Sequence, residues 1–264
     1  MAEGARRLLA PDEPAPVWLL RSDGRADFVL TADHAGRAIP CALSDLGLPE
    51  SERLRHIAWD IGIAAVTERL AAALDAVAVM QRYSRLVIDC NRESSVEASI
   101  PPLSEATTIP GNIGLAAEQR EARRREIFAP YHAAIARLLD ARRAAGRRTV
   151  LVAMHSFTPI FKGVPRRVEV GVLYNPDARD IRMQQILLEL LRAEGDLAAG
   201  DNAPYAITGT SDYTVPAHAQ RRGLPHVEIE IRQDLIADPA GQSAWAARLA
   251  RLLPLADRRL QERP

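Results

Sequence analysis

The sequence predicts an α/β fold in three layers, α/β/α. Strands alternate with helices from one end of the chain to the other. Apolar residues make up 47% of the 264, enough for a substantial core. No internal repeat and no linker divides the chain, so a single domain over residues 1–264 is expected, with residues 1–24 as a loosely attached segment.

In chain order, residues 1–24 carry Pro11, Pro14 and Pro16 and read as extended. Residues 26–32 are the first core strand. It stops at Asp33-His34, and Gly36 and Pro40 follow at once, so the strand cannot continue. Ala42 to Glu52 is a loop with a short helix at most. From Asp60, the positions Ile61, Ala64, Ala65, Leu70 and Leu74 have helical spacing. Asp60 then sits near the helix N-terminus, where a carboxylate is favoured.

Val77 to Gln81 and Leu86 to Ile88 are predicted strands. Residues 94–114 hold three prolines and two glycines in a long irregular loop, of the kind that often serves function. An Arg/Ala-rich helix is expected over 115–145, with a break near Pro130. The strand 149–154 leads into His155, and a proline-containing loop covers 157–167. Val168 to Tyr174 is a strand and Ala178 to Glu194 an amphipathic helix. Tyr205 to Val215 is turn-rich, Val227 to Ile231 a strand, and Ser243 to Leu253 the closing helix.

Lys+Arg and Asp+Glu both number 34, so the formal net charge is zero, which argues against a large nucleic-acid footprint. Lys162 is the only lysine, leaving Schiff-base chemistry a single candidate. Cys41 and Cys90 have neither metal-ligand nor redox spacing, and a reduced cytoplasmic setting is expected. No apolar run approaches membrane-spanning length and no secretory signal is seen, so no membrane partner is expected. No Gly-x-Ser-x-Gly elbow and no glycine-rich phosphate or dinucleotide loop is present.

Two apolar strands that each end in a histidine, His34 and His155, are the main functional signal. In an open α/β sheet, ligands bind at the carboxyl ends of strands. Imidazole is a common zinc ligand, although either histidine alone also fits simple packing. Asp60 is four residues from His56 and is a candidate ligand. Arg85 and Arg92 flank the run Leu86-Val87-Ile88. They suit a clamp for an acidic substrate, with Asn91 adding an amide, or an internal salt bridge with Asp89 or Glu93. Glu230 is one residue from the exit of its strand and is a candidate general base, with Glu228 on the same face as its competitor. The same alternation also fits an edge strand with one wet face. Tyr213 and His218 are candidate binding groups in a loop. His132 reads as a supporting histidine, and His226 receives no role.

These stretches resemble the N-formylglutamate amidohydrolase family. The resemblance is carried by Asp33-His34-Ala35-Gly36 through Pro40, by His56 to Gly62, by Gln81 to Arg92, by Met154 to Pro159 and by His226 to Ile236. Pro130-Tyr131-His132 and Tyr213 to His218 also fit, so the likeness spans about residues 27–236. It implies a mixed twisted sheet flanked by helices, as in zinc-dependent exopeptidases. The implied reaction is hydrolysis of a linear amide, releasing formate from N-formyl-L-glutamate in histidine breakdown.

Carried over residue by residue, the resemblance makes His34 and His155 ligands of one divalent metal, zinc. Asp60 is the chosen third ligand, with Glu230 or His218 as substitutes, because Arg37 stands where a His-x-x-Glu motif would need its glutamate. Glu230 resembles the general base, and Arg85 and His218 are candidate oxyanion groups. Arg85, Asn91, Arg92, Arg232 and Tyr213 are the candidate substrate contacts. The expected partner is a small acidic N-acyl amino acid. An amidase for another N-acyl amino acid or short peptide, and a non-catalytic binding protein of the same fold, remain the rivals. The sequence fixes no oligomeric state.

Overall fold

The computed structural model describes residues 7–207 and 212–262. The first six residues of the segment expected to be loose, and residues 208–211 of the stretch expected to be turn-rich, lie outside the described residues. Seven strands form one mixed sheet: β1 (Val17–Leu20), β2 (Phe28–Ala32), β3 (Val77–Gln81), β4 (Val150–Phe157), β5 (Val170–Leu173), β6 (Ala199–Asp201) and β7 (His226–Arg232). Their order across the sheet is β1-β3-β2-β4-β7-β5-β6. β2, β3, β4 and β7 run parallel, β1 runs antiparallel to β3, and β5 runs antiparallel to β7.

The longer helices are α1 (Ile63–Leu74), α2 (Ala117–Arg123), α3 (Ala129–Ala144), α4 (Arg182–Ala193) and α5 (Pro239–Glu262), and a single turn covers Glu50–Arg53. Alternation of side chains across each strand splits the core in two. Leu30, Ala78, Val152, Met154 and Ile229 face α1, α4 and α5 through Val66, Leu70, Leu187, Leu249 and Leu253. Val29, Val79, Leu151 and Ala153 face α3 through Tyr131, Ile135 and Leu139. The central strands are buried on both faces, as the three-layer prediction requires.

Four sequence expectations change. Leu86 to Ile88 is apolar and buried but is not a strand: Val87 N–H bonds Ser84 O and Asp89 N–H bonds Ser99 O, so its backbone is satisfied by turns. Part of the segment expected to be loose is the edge strand β1, and Leu8 is buried with its N–H on Glu126. The strand at 227–231 is not a wet edge: β7 lies between β4 and β5, with Glu228 and Glu230 buried. The closing helix passes Pro254 and runs to Glu262, because Ala256 and Leu260 keep its apolar face in the core. Packing there outweighs the hydrogen bond that proline removes.

The expected break in the Arg/Ala helix is a π-helical turn over Arg124–Phe128, just before Pro130. Arg123, fully buried beside it, donates to Val87 O, Asn112 Oδ1 and Gly111 O. That fork ties the long irregular loop to the layer above it.

Two glycines fix the backbone around the strand ends. Gly62 precedes α1 with φ +83°, and a Cβ there would lie 2.3 Å from Ile236 O. A Cβ on Gly36 would lie 1.9 Å from Arg82 O, so only glycine lets the loop after β2 press against the loop after β3. Among the described residues, no helix is long and apolar enough to cross a membrane.

Candidate active site

The carboxyl ends of the four parallel strands converge on one cleft of about 650 Å³. β2 delivers Asp33 and His34 just past its last residue. β4 carries His155 two residues before its end, one turn of the pleat inside the strand. β7 carries Glu228 and Glu230, and the loop after β3 brings Arg85, Asp89, Asn91 and Arg92. Asp60 is drawn in from before α1 by its own N–H, which bonds His34 O at 2.9 Å.

His34, Asp60 and His155 are buried, and one possible ligand atom from each lies within 4.8 Å of the others. His34 Nδ1 is 3.5 Å from Asp60 Oδ2, and His155 Nδ1 is 3.0 Å from the same oxygen. The other nitrogen of each ring faces a second carboxylate. His34 Nε2 lies 2.8 Å from Asp89 Oδ1, and His155 Nε2 lies 3.3 Å from Asp33 Oδ2. A carboxylate behind each imidazole fixes which nitrogen keeps its proton and leaves the opposite lone pair for a metal. Thr214 Oγ1 donates to Asp33 Oδ1, and Ser156 N–H donates to Asp60 Oδ2.

The residues fit a divalent cation. His34 Nδ1, buried and pointing at Asp60, has no hydrogen-bond partner among the described residues. Asp33, Asp60 and Asp89 bring three carboxylates, which Arg85 offsets only in part. Electrostatics agree. Burial opposes the charge on Asp33, but His155 holds its carboxyl at about 2. Asp60 and Asp89 are likewise kept below the usual range against burial, Asp60 by His34 and His155 and Asp89 by Arg85 and His34. Burial and Arg85 work against protonation of His34, yet Asp89 and Asp60 raise it; His155 is raised against burial by Asp33 and Asp60. Such a pocket calls for positive charge, and two imidazoles plus a carboxylate are a suitable donor set for zinc-like ions.

Glu230 stands against this cluster. Burial, reinforced by Asp60 and opposed by His155, pushes its carboxyl up to about 7. Glu228, two residues deeper on the same face, is pushed well above the usual range by burial and by Asp212. Arg85 donates to Asp89 Oδ2 at 2.8 Å and reaches Asp60 Oδ1 at 3.5 Å, so the internal ion pair is realised. Arg92 has only a 3.6 Å approach to Asp89, and its side chain is 33% exposed at the cleft.

The structure therefore brings together His34, Asp60, His155, Arg85, Asn91, Arg92 and Glu230. Asn91 is turned to structure: its Oδ1 accepts from Tyr213 and Thr214 N–H, and its Nδ2 donates to Asp212. Three other candidates sit apart from the cleft lining. His218 Nε2 meets His132 Nδ1 at 2.9 Å, behind the site. Tyr213 packs on Phe128 and His132. Arg232 is tied to Asp234, Glu169 and the carbonyls of Arg166 and Val168.

Sequence reasoning gave no site role to Asp33, Tyr205, Asp212 or Gln233 and noted Lys162 only as the single Schiff-base candidate; all but Asp33 line the cleft. Asp33 could have been found from its place beside His34; the others come from loops whose position only the fold sets.

Residues 26–237 match the family model described as N-formylglutamate amidohydrolase. Among solved structures, gene product Atu2144 from Agrobacterium tumefaciens is 36% identical with a TM-score of 0.92, covering 97% of this chain and 100% of that one. An N-formylglutamate amidohydrolase from Ralstonia eutropha JMP134 is 19% identical with a TM-score of 0.67, covering 92% of this chain and 98% of that one, and shares the fold. No curated protein matches the chain significantly.

Proposed function

The chain belongs to the N-formylglutamate amidohydrolase family, and from that premise we propose that it is a zinc-dependent hydrolase of N-formyl-L-glutamate, releasing formate and L-glutamate. The observation that carries the metal requirement is the convergence of His34, Asp60 and His155, each ring backed by its own carboxylate.

His34 and His155 through Nδ1, and Asp60 through Oδ2, are the groups that would hold the ion. When bound, a divalent ion would supply a Lewis acid for the formyl carbonyl and would lower the pKa of a neighbouring water toward about 7. Glu230 takes the proton of the attacking water. A carbon–oxygen bond forms, the carbon–nitrogen bond breaks, and Glu230 returns the proton to the leaving amine. Arg92, with its guanidinium open to the cleft, orients a substrate carboxylate. Arg85 holds Asp89, and through Asp89 the ring of His34. A cytoplasmic setting and a role in histidine breakdown belong to the same reading.

One observation favours a second reading, an amidase for another N-acyl amino acid. Arg85, one of two arginines expected to hold the two carboxylates of N-formylglutamate, is already paired with Asp89.

The test is formate release from N-formyl-L-glutamate by the zinc-loaded protein, with and without a chelator. Formate that disappears on chelation and returns with zinc supports the proposal. Release from other N-formyl amino acids but not from this one selects the second reading. No release from any, with metal bound, leaves a binding protein.

A further inference from the structure

Glu228 is buried to 2% exposure and lines the floor of the cleft. Its Oε2 has no hydrogen-bond partner among the described residues. An oxygen in that position loses its water without a replacement, a cost of about 1–3 kcal/mol unless a ligand supplies a donor. Such an atom in a native cleft calls for an explanation.

Among the described residues, the side chains around it are mostly acceptors or are already held by carboxylates. Its electrostatic neighbours are Asp212, His155, Glu230 and Asp33, three of them carboxylates. His155 Nδ1 is on Asp60, and its Nε2 faces Asp33 Oδ2 at 3.3 Å. Arg85 is engaged by Asp89 and Asp60, and the Asn91 amide donates to Asp212. The donor must come from the ligand.

The ladder fixes where on the ligand. Glu230 is the register partner of His155, and Glu228 pairs with Ala153, one pleat deeper on the same face. An N-acyl amino acid offers acceptors almost everywhere: a carbonyl at the acyl carbon and carboxylate oxygens on the amino acid. The carbonyl oxygen of a carboxyl, neutral or ionised, accepts a hydrogen bond and can use none of those. One group at the reacting centre is a donor, the amide N–H, which becomes an amine on cleavage.

We propose that Glu228 is a substrate-orienting group, whose carboxyl accepts the hydrogen bond of the scissile amide N–H and so aims the acyl carbon at the wall carrying Glu230 and His155. This rests on the amide-hydrolase reading and divides the two glutamates: Glu230 handles the water, Glu228 the nitrogen.

The experiment compares wild type, Glu228→Met and Glu228→Gln on N-formyl-L-glutamate and on its ester counterpart, in which oxygen replaces N–H. Met keeps the length of the side chain and removes the acceptor; Gln keeps an acceptor oxygen. Glu228→Met is expected to lose about ten- to hundred-fold in kcat/KM on the amide and little on the ester, the size of one hydrogen bond to a buried group. Glu228→Gln should keep most of the wild-type preference. Should the Met variant not fold, Glu228→Ala gives the same readout. Equal losses on amide and ester overturn the inference and leave the hydrolase reading standing. Wild type inactive on both substrates overturns the reading and the inference with it.

Discussion

In the parallel ladder between β4 and β7, Glu230 lies directly across from His155. Neighbouring parallel strands are ~4.8 Å apart, so the two side chains leave the same face of the sheet side by side. A general base acts through a water, whereas a ligand would need to touch the ion. Glu230→Gln is therefore expected to lower kcat by about 10²–10⁴ while leaving metal content near that of wild type. Elemental analysis beside steady-state kinetics decides it: loss of metal in this variant would make Glu230 a ligand.

The same carboxyl sets a pH limb. Burial, aided by Asp60, raises it to about 7, and only its ionised form accepts a proton. kcat/KM should fall about tenfold per pH unit below the midpoint, with a bound cation drawing that midpoint below 7. The residual activity of Glu230→Gln should lack this limb. A limb unchanged in that variant assigns the titration to another group.

Metal affinity should depend on the backing carboxylates as well as on the ligands. His34→Ala and His155→Ala are each expected to remove most bound zinc with the fold retained. Asp89→Asn and Asp33→Asn keep shape but weaken the hold on each ring, and about 10–100-fold loss of affinity is expected. Competition with a chromophoric chelator measures it. Affinity at the wild-type level in both Asn variants would mean that neither carboxylate tunes its ring.

Behind the cleft, His132 and His218 predict acid sensitivity. His132 Nε2 donates to Cys90 O and its Nδ1 accepts from His218 Nε2, an arrangement that needs the His132 ring neutral. Burial lowers His132 to about 4 and His218 to about 3. The unfolded chain takes up these protons near pH 6.5 and the folded chain resists, so the unfolded state binds more protons. Stability is thus full above pH 6.5 and falls on acidification toward pH 4, at about 1.4 kcal/mol per unit for each ring. Urea titrations at pH 7 and pH 5 should show a smaller drop for His218→Gln than for wild type. An identical drop would take this pair out of the acid response.

What the sequence disclosed follows from where the determinants lie. β2, β3 and β4 were legible because each is a short apolar run stopped by polar residues, β7 because apolar and charged residues alternate along it, and His34 and His155 were legible as strand endings. Leu86 to Ile88 misled because a buried loop and a buried strand have the same composition; only the Ser84 and Ser99 hydrogen bonds tell them apart. The depth of Glu230 was invisible, since alternating apolar and charged residues look the same on a wet edge and beside a central cleft. Arg85 and Arg232 could not be sorted from Arg92, because their partners Asp89 and Glu169 are chosen by folding. His218 meets His132 across 86 residues of chain, a pairing no local pattern encodes.

That sorting of the arginines gives a last prediction, in which two residues of one type fail in different ways. Arg85 donates to Asp89, which holds the His34 ring, so Arg85→Ala should loosen the metal site itself. Its losses should be similar on every N-formyl amino acid, with metal occupancy reduced. The Arg92 guanidinium approaches the Asp89 carboxylate at 3.6 Å and opens to the cleft. Arg92→Ala should keep its zinc and lose one charge-assisted contact to substrate. That contact contributes about 1.5–3 kcal/mol, or about 10–150-fold in kcat/KM on N-formylglutamate. A substrate without the carboxylate that Arg92 binds never made the contact, so N-formylalaninamide should lose little. The measurement is kcat/KM and zinc content for wild type and both variants on N-formylglutamate, N-formylglutamine and N-formylalaninamide. Equal losses for Arg92→Ala on all three would place Arg92 with Arg85 as a support of the site. A wild-type preference for the neutral amide would reject the acidic substrate altogether.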